Sequence, residues 1–169
     1  SCIEGMVGLG RVTKDQRYVE EAKRIAWLAA SVTNFDGLHS HGRLCAVRGF
    51  ADLYALTGEQ RWRDFAERDW HIFASRYLLP TGGVKEMLED KYERDEGCAE
   101  ADWLRLNLSL WRLTGLDRYL DAAERALKNH FIYQQFPNGG AGHRLLHQVN
   151  NQPVAFKGLS EEAWWCCGE

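Results

Sequence analysis

Glu96 and Cys98, a carboxylate and a thiol on either side of Gly97, and the adjacent thiols Cys166 and Cys167 are the side chains here best suited to hold a metal. Together they are four ligands of the kind that a tetrahedral zinc ion accepts. They come from two segments separated by a long helical pattern, so a shared ion would tie the tertiary structure together as well as supply chemistry. The chain has five cysteines, an odd number, and neighbours such as Cys166 and Cys167 are badly placed to pair with each other. A reduced or metal-bound state is the better reading than a disulfide framework, and it favours a cytoplasmic location.

The elements that must position these ligands are helices arranged as a repeat. Aligning Thr13, Thr57 and Thr114, spaced by 44 and 57 residues, superposes Arg17, Arg61 and Arg118, then the aromatic Tyr18, Trp62 and Tyr119. The acidic Glu20, Asp64 and Asp121 follow, then Ala22, Ala66 and Ala123, and last Arg24, Arg68 and Arg125. Chance similarity among amphipathic helices would match core positions, but not Thr, Arg and aromatic positions as well; a repeated helical hairpin is expected.

Within the repeat the helices are of two kinds. From Ala99 to Leu113, Leu104, Leu108 and Trp111 form one stripe while Trp103, Leu106, Leu110 and Leu113 cover much of the rest, which predicts an inner helix with that first stripe buried. From Asp117 to Phe131, an apolar stripe of Tyr119, Ala122, Ala123, Ala126 and Leu127 opposes Arg118, Asp121, Glu124, Arg125 and Lys128, which predicts an outer helix. The contrast recurs between Leu44 to Leu56 and Gln60 to Phe73. Inner and outer helices alternating across short Thr-Gly turns (Thr57, Gly58; Thr114, Gly115) describe an all-α toroid or open solenoid.

The same 57-residue shift carries His39 onto Glu96 and His41 onto Cys98. Two metal- or substrate-capable pairs thus precede equivalent inner helices and are expected at the same end of the assembly, where the partial positive charge of helix N-termini favours carboxylate and thiolate. The competing use is a loop histidine beside a helix-cap neighbour. Between these pairs, Thr81, Gly82 and Gly83 after Pro80 predict a turn with close backbone approach, followed by Glu86 and the acidic stretch Glu89, Asp90, Glu93, Asp95. No Gly-Lys-Ser or Gly-Lys-Thr follows, so a phosphate-cradling loop is a poor fit. After Phe131 the helical period fails: Phe136 to Gly140 form a turn, and Gly142 to Val149, with His143 and His147, fits an extended segment. Adjacent Trp164 and Trp165 cannot both face one core on a strand, so one is free to line a sugar-sized pocket, with ordinary packing the competing use.

Composition narrows the function. At 169 residues with 45% hydrophobic residues and a net charge of -3, the chain has the size of one domain, 1–169, able to bury a core. Lys and Arg are interspersed with acidic residues, which argues against nucleic acid, and no apolar run approaches the roughly 20 residues of a membrane span. The sequence starts at Ser1 and stops two residues after the thiol pair, so its natural ends are expected to lie beyond it. Nothing in it indicates an oligomeric state.

In order, Thr81, Gly82, Gly83, then Glu86, then Glu96, Gly97, Cys98, an apolar helix, and Cys166, Cys167 resemble glycoside hydrolase family 127, the cysteine-nucleophile β-L-arabinofuranosidases. The likeness runs from about His39 to Cys167, with the first repeat helix fitting as a further outer helix. It implies part of an (α/α)6 barrel, from a family whose chains are several times longer and continue into β-sandwich domains. It implies zinc on Glu96, Cys98, Cys166 and Cys167, with Cys166 as nucleophile. Substrate contacts then fall to His39 or His41, with His143 and Trp165 completing a carbohydrate site. The acid of the family follows the Gly-Gly turn, which points to Glu86; a shorter insert before Glu96 than in characterised members keeps Glu89 as a competitor and leaves the sugar open. On this reading the chain is a retaining glycosidase for β-L-arabinofuranosides or related plant-glycan sugars. The alternative from another class is a non-catalytic helical-repeat scaffold pinned by a structural zinc, since closed four-ligand sites are the structural norm.

Overall fold

The computed structural model describes residues 2–91, 95–134, 148–149 and 152–153. Six α-helices make up the described body: α1 (Cys2–Thr13), α2 (Gln16–Ala30), α3 (Ser40–Thr57), α4 (Gln60–Ile72), α5 (Gly97–Thr114) and α6 (Asp117–Asn129). A π-helical turn, Phe73–Tyr77, extends α4, and a 3-10 turn, Phe131–Gln134, follows α6. Two short antiparallel strands, β1 (Gln148–Val149) and β2 (Gln152–Pro153), lie near the C-terminus, while the turn expected at Phe136 to Gly140 and most of the extended segment expected at Gly142 to Val149 lie outside the described residues. No described helix is long and apolar enough to cross a membrane.

The helices form three hairpins, α1/α2, α3/α4 and α5/α6, in two layers. α3 packs against both α1 and α5, making an inner layer of α1, α3 and α5, while α2, α4 and α6 each pack outside the helix before them. The inner helices share one ending. Thr13, Thr57 and Thr114 each donate a hydroxyl hydrogen bond of 2.7 Å to the carbonyl four residues back and accept an N–H from two residues on at 3.2 Å. The following residues, Lys14, Gly58 and Gly115, then take positive φ of 62°, 70° and 69°. Glycine suits such a left-handed cap and Lys14 does not, which places a small strain at the first turn.

The repeated aromatic and alanine positions lie where the repeat requires. Trp62 and Tyr119 are buried, as are Ala22, Ala66 and Ala123, whose small side chains let the outer helices approach. Trp70 of α4 stacks on Trp103 of α5 with ring centroids 5.8 Å apart, and its Nε1 donates to Asn107 Oδ1 at 2.7 Å, a buried hydrogen bond that ties the two helices. Arg118, Asp121 and Lys128 are exposed, as expected of an outer helix. α5 departs from expectation in its stripe. Its buried face is Ala99, Trp103, Leu106, Asn107 and Leu110, whereas Leu104 and Leu108 are half-buried and Trp111 is 36% exposed. α3 and α6 cover α5 from two sides; the Leu104, Leu108 and Trp111 stripe lies on the remaining side, and periodicity cannot say which apolar side of such a helix is covered. The sequence reading also lacked α1, an inner helix that completes the first hairpin.

Charges hold the N-terminal end of the inner layer. Arg43, in the first turn of α3, is buried against buried Asp69 of α4 and donates at 2.6 Å to the carbonyl of Ala29, near the end of α2. Its guanidinium lies 4.4 Å from the Phe35 ring centroid, and Arg68 donates to the neighbouring carbonyl of Ala30. One ion pair therefore ties three helices and caps carbonyls that α2 leaves open.

Candidate active site

The N-terminal ends of α3 and α5 meet, as the repeat predicted for His41 and Cys98. His39, immediately before α3, places Nε2 3.1 Å from Glu96 Oε2 and 4.0 Å from Glu86 Oε1. Glu96 immediately precedes α5 and is 2% exposed; Cys98, in the first turn, is half-buried. The side chains of His39, Glu86 and Glu96 bring ligand atoms close enough to share one metal ion. One histidine between two carboxylates can hold a cation or share protons with either neighbour.

Glu86 is held by its backbone. Its carbonyl accepts from the Ser40 N–H at 2.8 Å and the Ser40 hydroxyl at 2.9 Å, and single antiparallel bridges join Leu78 to Val84, Lys85 to Asp95 and His39 to Met87. The segment from Val84 to Met87 is thereby fastened to both helix ends that carry the cluster. Glu86 is 9% exposed, whereas Glu89, three residues on, is exposed.

Beneath this segment lies a fully buried polar group. His130, at the end of α6, hydrogen-bonds Asp95 through Nε2 and Thr81 Oγ1 through Nδ1, the latter at 2.7 Å. Glu100 Oε1 lies 3.6 Å from the same Nε2 and accepts the Val84 N–H at 2.5 Å. Burial pushes the Glu100 carboxyl well above the usual carboxylate range; the Val84 N–H opposes the shift, and the charge of Asp95 adds to it. A Cβ on Gly83 would lie 2.6 Å from His130 ring atoms, so the Gly-Gly turn does make the close approach expected of it. This packing seats the turn on α6.

A second polar cluster joins α3 to α5 one turn further in. His41 Nδ1 lies 2.5 Å from Asp102 Oδ2, and Cys45 Sγ lies 3.5 Å from the same oxygen and 3.8 Å from His41 Nδ1. Arg48 donates to Asp102 Oδ1 and to Glu4 Oε1, which brings α1 into the group. Burial and the Asp102 carboxylate push the Cys45 thiol up to about 11, so without a metal it stays protonated at neutral pH.

Among the predicted site residues, His39, Glu86 and Glu96 come together, with Cys98 two residues beyond Glu96 at the same helix end. His41 lies on the same end but turns its Nδ1 to Asp102. Cys166, Cys167, His143 and Trp165 lie outside the described residues. The sequence reading missed Cys45, Asp102, Arg48, Glu100 and His130. A signal existed for Cys45, four residues after His41 and so on the same helical face, and for Asp102, a charge inside the apolar run of α5. His130 offered none, since its partners are remote in the chain.

Comparison with known proteins agrees with this architecture. The family model described as "Beta-L-arabinofuranosidase, GH127 catalytic domain" matches residues 1–169. Among solved structures, a GH127 β-arabinofuranosidase superposes with a TM-score of 0.74 at 22% identity, over 85% of this chain and 27% of that one. A GH127 β-L-arabinofuranosidase from Geobacillus stearothermophilus T6 gives 0.67 at 18% identity, over 81% of this chain and 29% of that one. An inactive variant of the α-1,6-mannanase GH76A of Salegentibacter sp. HEL1_6, in complex with α-1,6-mannotriose, gives 0.71 at 12% identity, over 83% of this chain and 43% of that one. Among curated proteins no sequence matches significantly. These likenesses establish the fold as part of an (α/α)6 barrel, and the chain spans about a quarter to a half of each superposed structure. With a family model matched from the first residue to the last, the chain belongs to the GH127 β-L-arabinofuranosidase catalytic-domain family.

Proposed function

We propose that this chain supplies part of the active site of a retaining glycoside hydrolase acting on β-L-arabinofuranosides or related plant-glycan sugars. The observation that carries the reading is the convergence of His39, Glu86 and Glu96 at the joined ends of α3 and α5, in a chain of this family. Glu86 is the general acid and base, Cys166 the nucleophile, and His39, His41, His143 and Trp165 contact the sugar.

The donor set around Glu96 fits a zinc ion. A buried carboxylate and a half-buried thiol flank the start of α5, where backbone N–H groups favour anionic ligands, and thiolate with carboxylate is a donor pair zinc accepts. Glu96, Cys98, Cys166 and Cys167 would hold it. Zinc bound there would supply a positive charge that keeps the nucleophilic thiol deprotonated at neutral pH.

The protein's own groups carry the steps. Glu86 gives its proton to the glycosidic oxygen as the bond from the anomeric carbon to that oxygen breaks, while the Cys166 thiolate forms a carbon–sulfur bond at the opposite face. Glu86, now a carboxylate, takes a proton from water; the water oxygen bonds the anomeric carbon, the carbon–sulfur bond breaks, and both groups return to their starting states. Two inversions leave the configuration retained. The fastening of the Glu86 backbone to Ser40 suits a group that must serve twice from one position.

The test is Glu86→Gln in the full-length protein. Turnover of an arabinofuranoside should fall by roughly 10²- to 10⁴-fold with zinc retained, and by less for substrates with good leaving groups. Glu89→Gln, at an exposed position, should behave as the parent. Full activity in Glu86→Gln with activity lost in Glu89→Gln would move the acid to Glu89. Parental activity in both would mean that neither carboxyl is the acid, whereas absence of turnover in the unmutated full-length protein would leave the zinc-pinned scaffold as the surviving reading.

A further inference from the structure

We propose that His41, Cys45 and Asp102 form a second metal site, distinct from the one at Glu96, that takes a zinc-class divalent cation and leaves it one exchangeable position. The proposal rests on the α3–α5 cluster and holds whether or not the glycosidase reading does.

Three donors of different kinds converge from two rigid helices. His41 and Cys45, four residues apart on α3, project from one face, and Asp102 meets them from α5. A four-coordinate zinc with bonds of about 2.0–2.3 Å holds its donor atoms roughly 3.3–3.8 Å from one another. The sulfur already stands at such separations, 3.5 Å from Asp102 Oδ2 and 3.8 Å from His41 Nδ1. Only the His41–Asp102 separation of 2.5 Å is that of a hydrogen bond, and binding would exchange this bond's proton for the metal.

The support behind the donors is that of a metal centre. Asp102 Oδ2 faces His41 and Cys45 while Oδ1 is taken by Arg48, which is held in turn by Glu4 of α1. Such an outer partner fixes the orientation of a ligating carboxylate and leaves one oxygen for the ion. The Arg48 charge is balanced by Glu4, so thiolate and Asp102 face the cation with two negative charges. The set of thiolate, imidazole and carboxylate excludes calcium and magnesium, which prefer oxygen throughout, and suits zinc. With three protein ligands the fourth position falls to water or a small ligand, and the His41 side chain is 42% exposed, which leaves an approach for it. Binding breaks the Cys45 S–H bond, forms a metal–sulfur bond and releases that proton to solvent; no oxidant or reductant is needed.

The experiment is a count of tightly bound zinc in the full-length protein, loaded with zinc and desalted. If both sites exist, the parent retains two ions per chain, Cys45→Ser and Asp102→Asn one each, and Glu96→Gln one. If only the Glu96 site exists, the parent retains one, Cys45→Ser and Asp102→Asn keep it, Glu96→Gln loses it, and the present proposal is overturned. If only the α3–α5 site exists, the single ion is lost in Cys45→Ser and kept in Glu96→Gln. Should either variant at this site fail to fold, the unmutated protein decides the matter: zinc should slow maleimide labelling of Cys45 at alkaline pH at least tenfold, read by peptide mass. An unchanged labelling rate in zinc-loaded protein would equally overturn the site.

Discussion

The two ends of the inner helix layer are built in different ways. At the C-terminal ends of α1, α3 and α5 every hydroxyl contact of Thr13, Thr57 and Thr114 closes within four residues, and the same device appears three times. At the N-terminal ends the contacts that matter span the chain: Ser40 to Glu86 across 46 positions, His41 to Asp102 across 61, His130 to Asp95 across 35. The end made of local bonds repeats almost unchanged, while the end made of distant bonds differs between hairpins and gathers titratable groups. A helix ending that needs only its own residues is free to recur; a cluster that needs two helices and a loop can form only where all three are present.

The largest expected effect that would test this contrast is at the buried ion pair. Asp69→Ala leaves the Arg43 guanidinium buried without its partner and should destabilise the fold by about 3–5 kcal/mol, measured by denaturant unfolding. A loss under about 1 kcal/mol, the range of an exposed pair, would mean that this end is not tied together by the pair.

Gly83→Ala comes next. The added methyl must displace the His130 ring, with an expected cost of about 1–3 kcal/mol for overpacking a tight site. Because Val84 donates to Glu100 and the bridge from Lys85 to Asp95 lies alongside, amide exchange at Val84 and Lys85 should quicken together. Unchanged exchange would show that the segment bearing Glu86 is held independently of the His130 packing.

The smallest effects belong to the repeated end. Thr→Val at positions 13, 57 and 114 removes one hydroxyl donor and acceptor each, and each should cost about 0.5–1.5 kcal/mol, the worth of an ordinary hydrogen bond. The three costs should be similar and additive, and zinc content should stay at the parental value. A change in metal content from any of them would show that the two ends are coupled.

Much of the scaffold was legible because helical period, Thr-Gly endings and the repeated Arg and aromatic positions are short-range signals, each readable from a few neighbouring residues. The repeat also located His39 and Glu96 at one end, a tertiary statement made from sequence alone, because equivalent positions in stacked hairpins fall at equivalent heights. The stripe on α5 was misjudged for the converse reason. An inner helix is apolar on several sides, so Trp103 and Trp111 look alike in sequence, and only the packing around α5, where Trp70 of α4 stacks on Trp103, makes one buried and the other exposed.

What the sequence by itself determined is the hairpin architecture, its period, and the residue types able to bind metal or move protons at one end of it. These follow from local backbone preference and from the burial of apolar faces, which any stretch of chain carries within itself. Tertiary structure alone decided which of those residues meet. It set Glu86 rather than Glu89 beside His39, turned His41 towards Asp102 and Cys45, and buried His130 beneath the Gly-Gly turn. Such pairings depend on separations of a few ångströms between helices far apart in sequence, which are fixed by how side chains fill the space between the two layers.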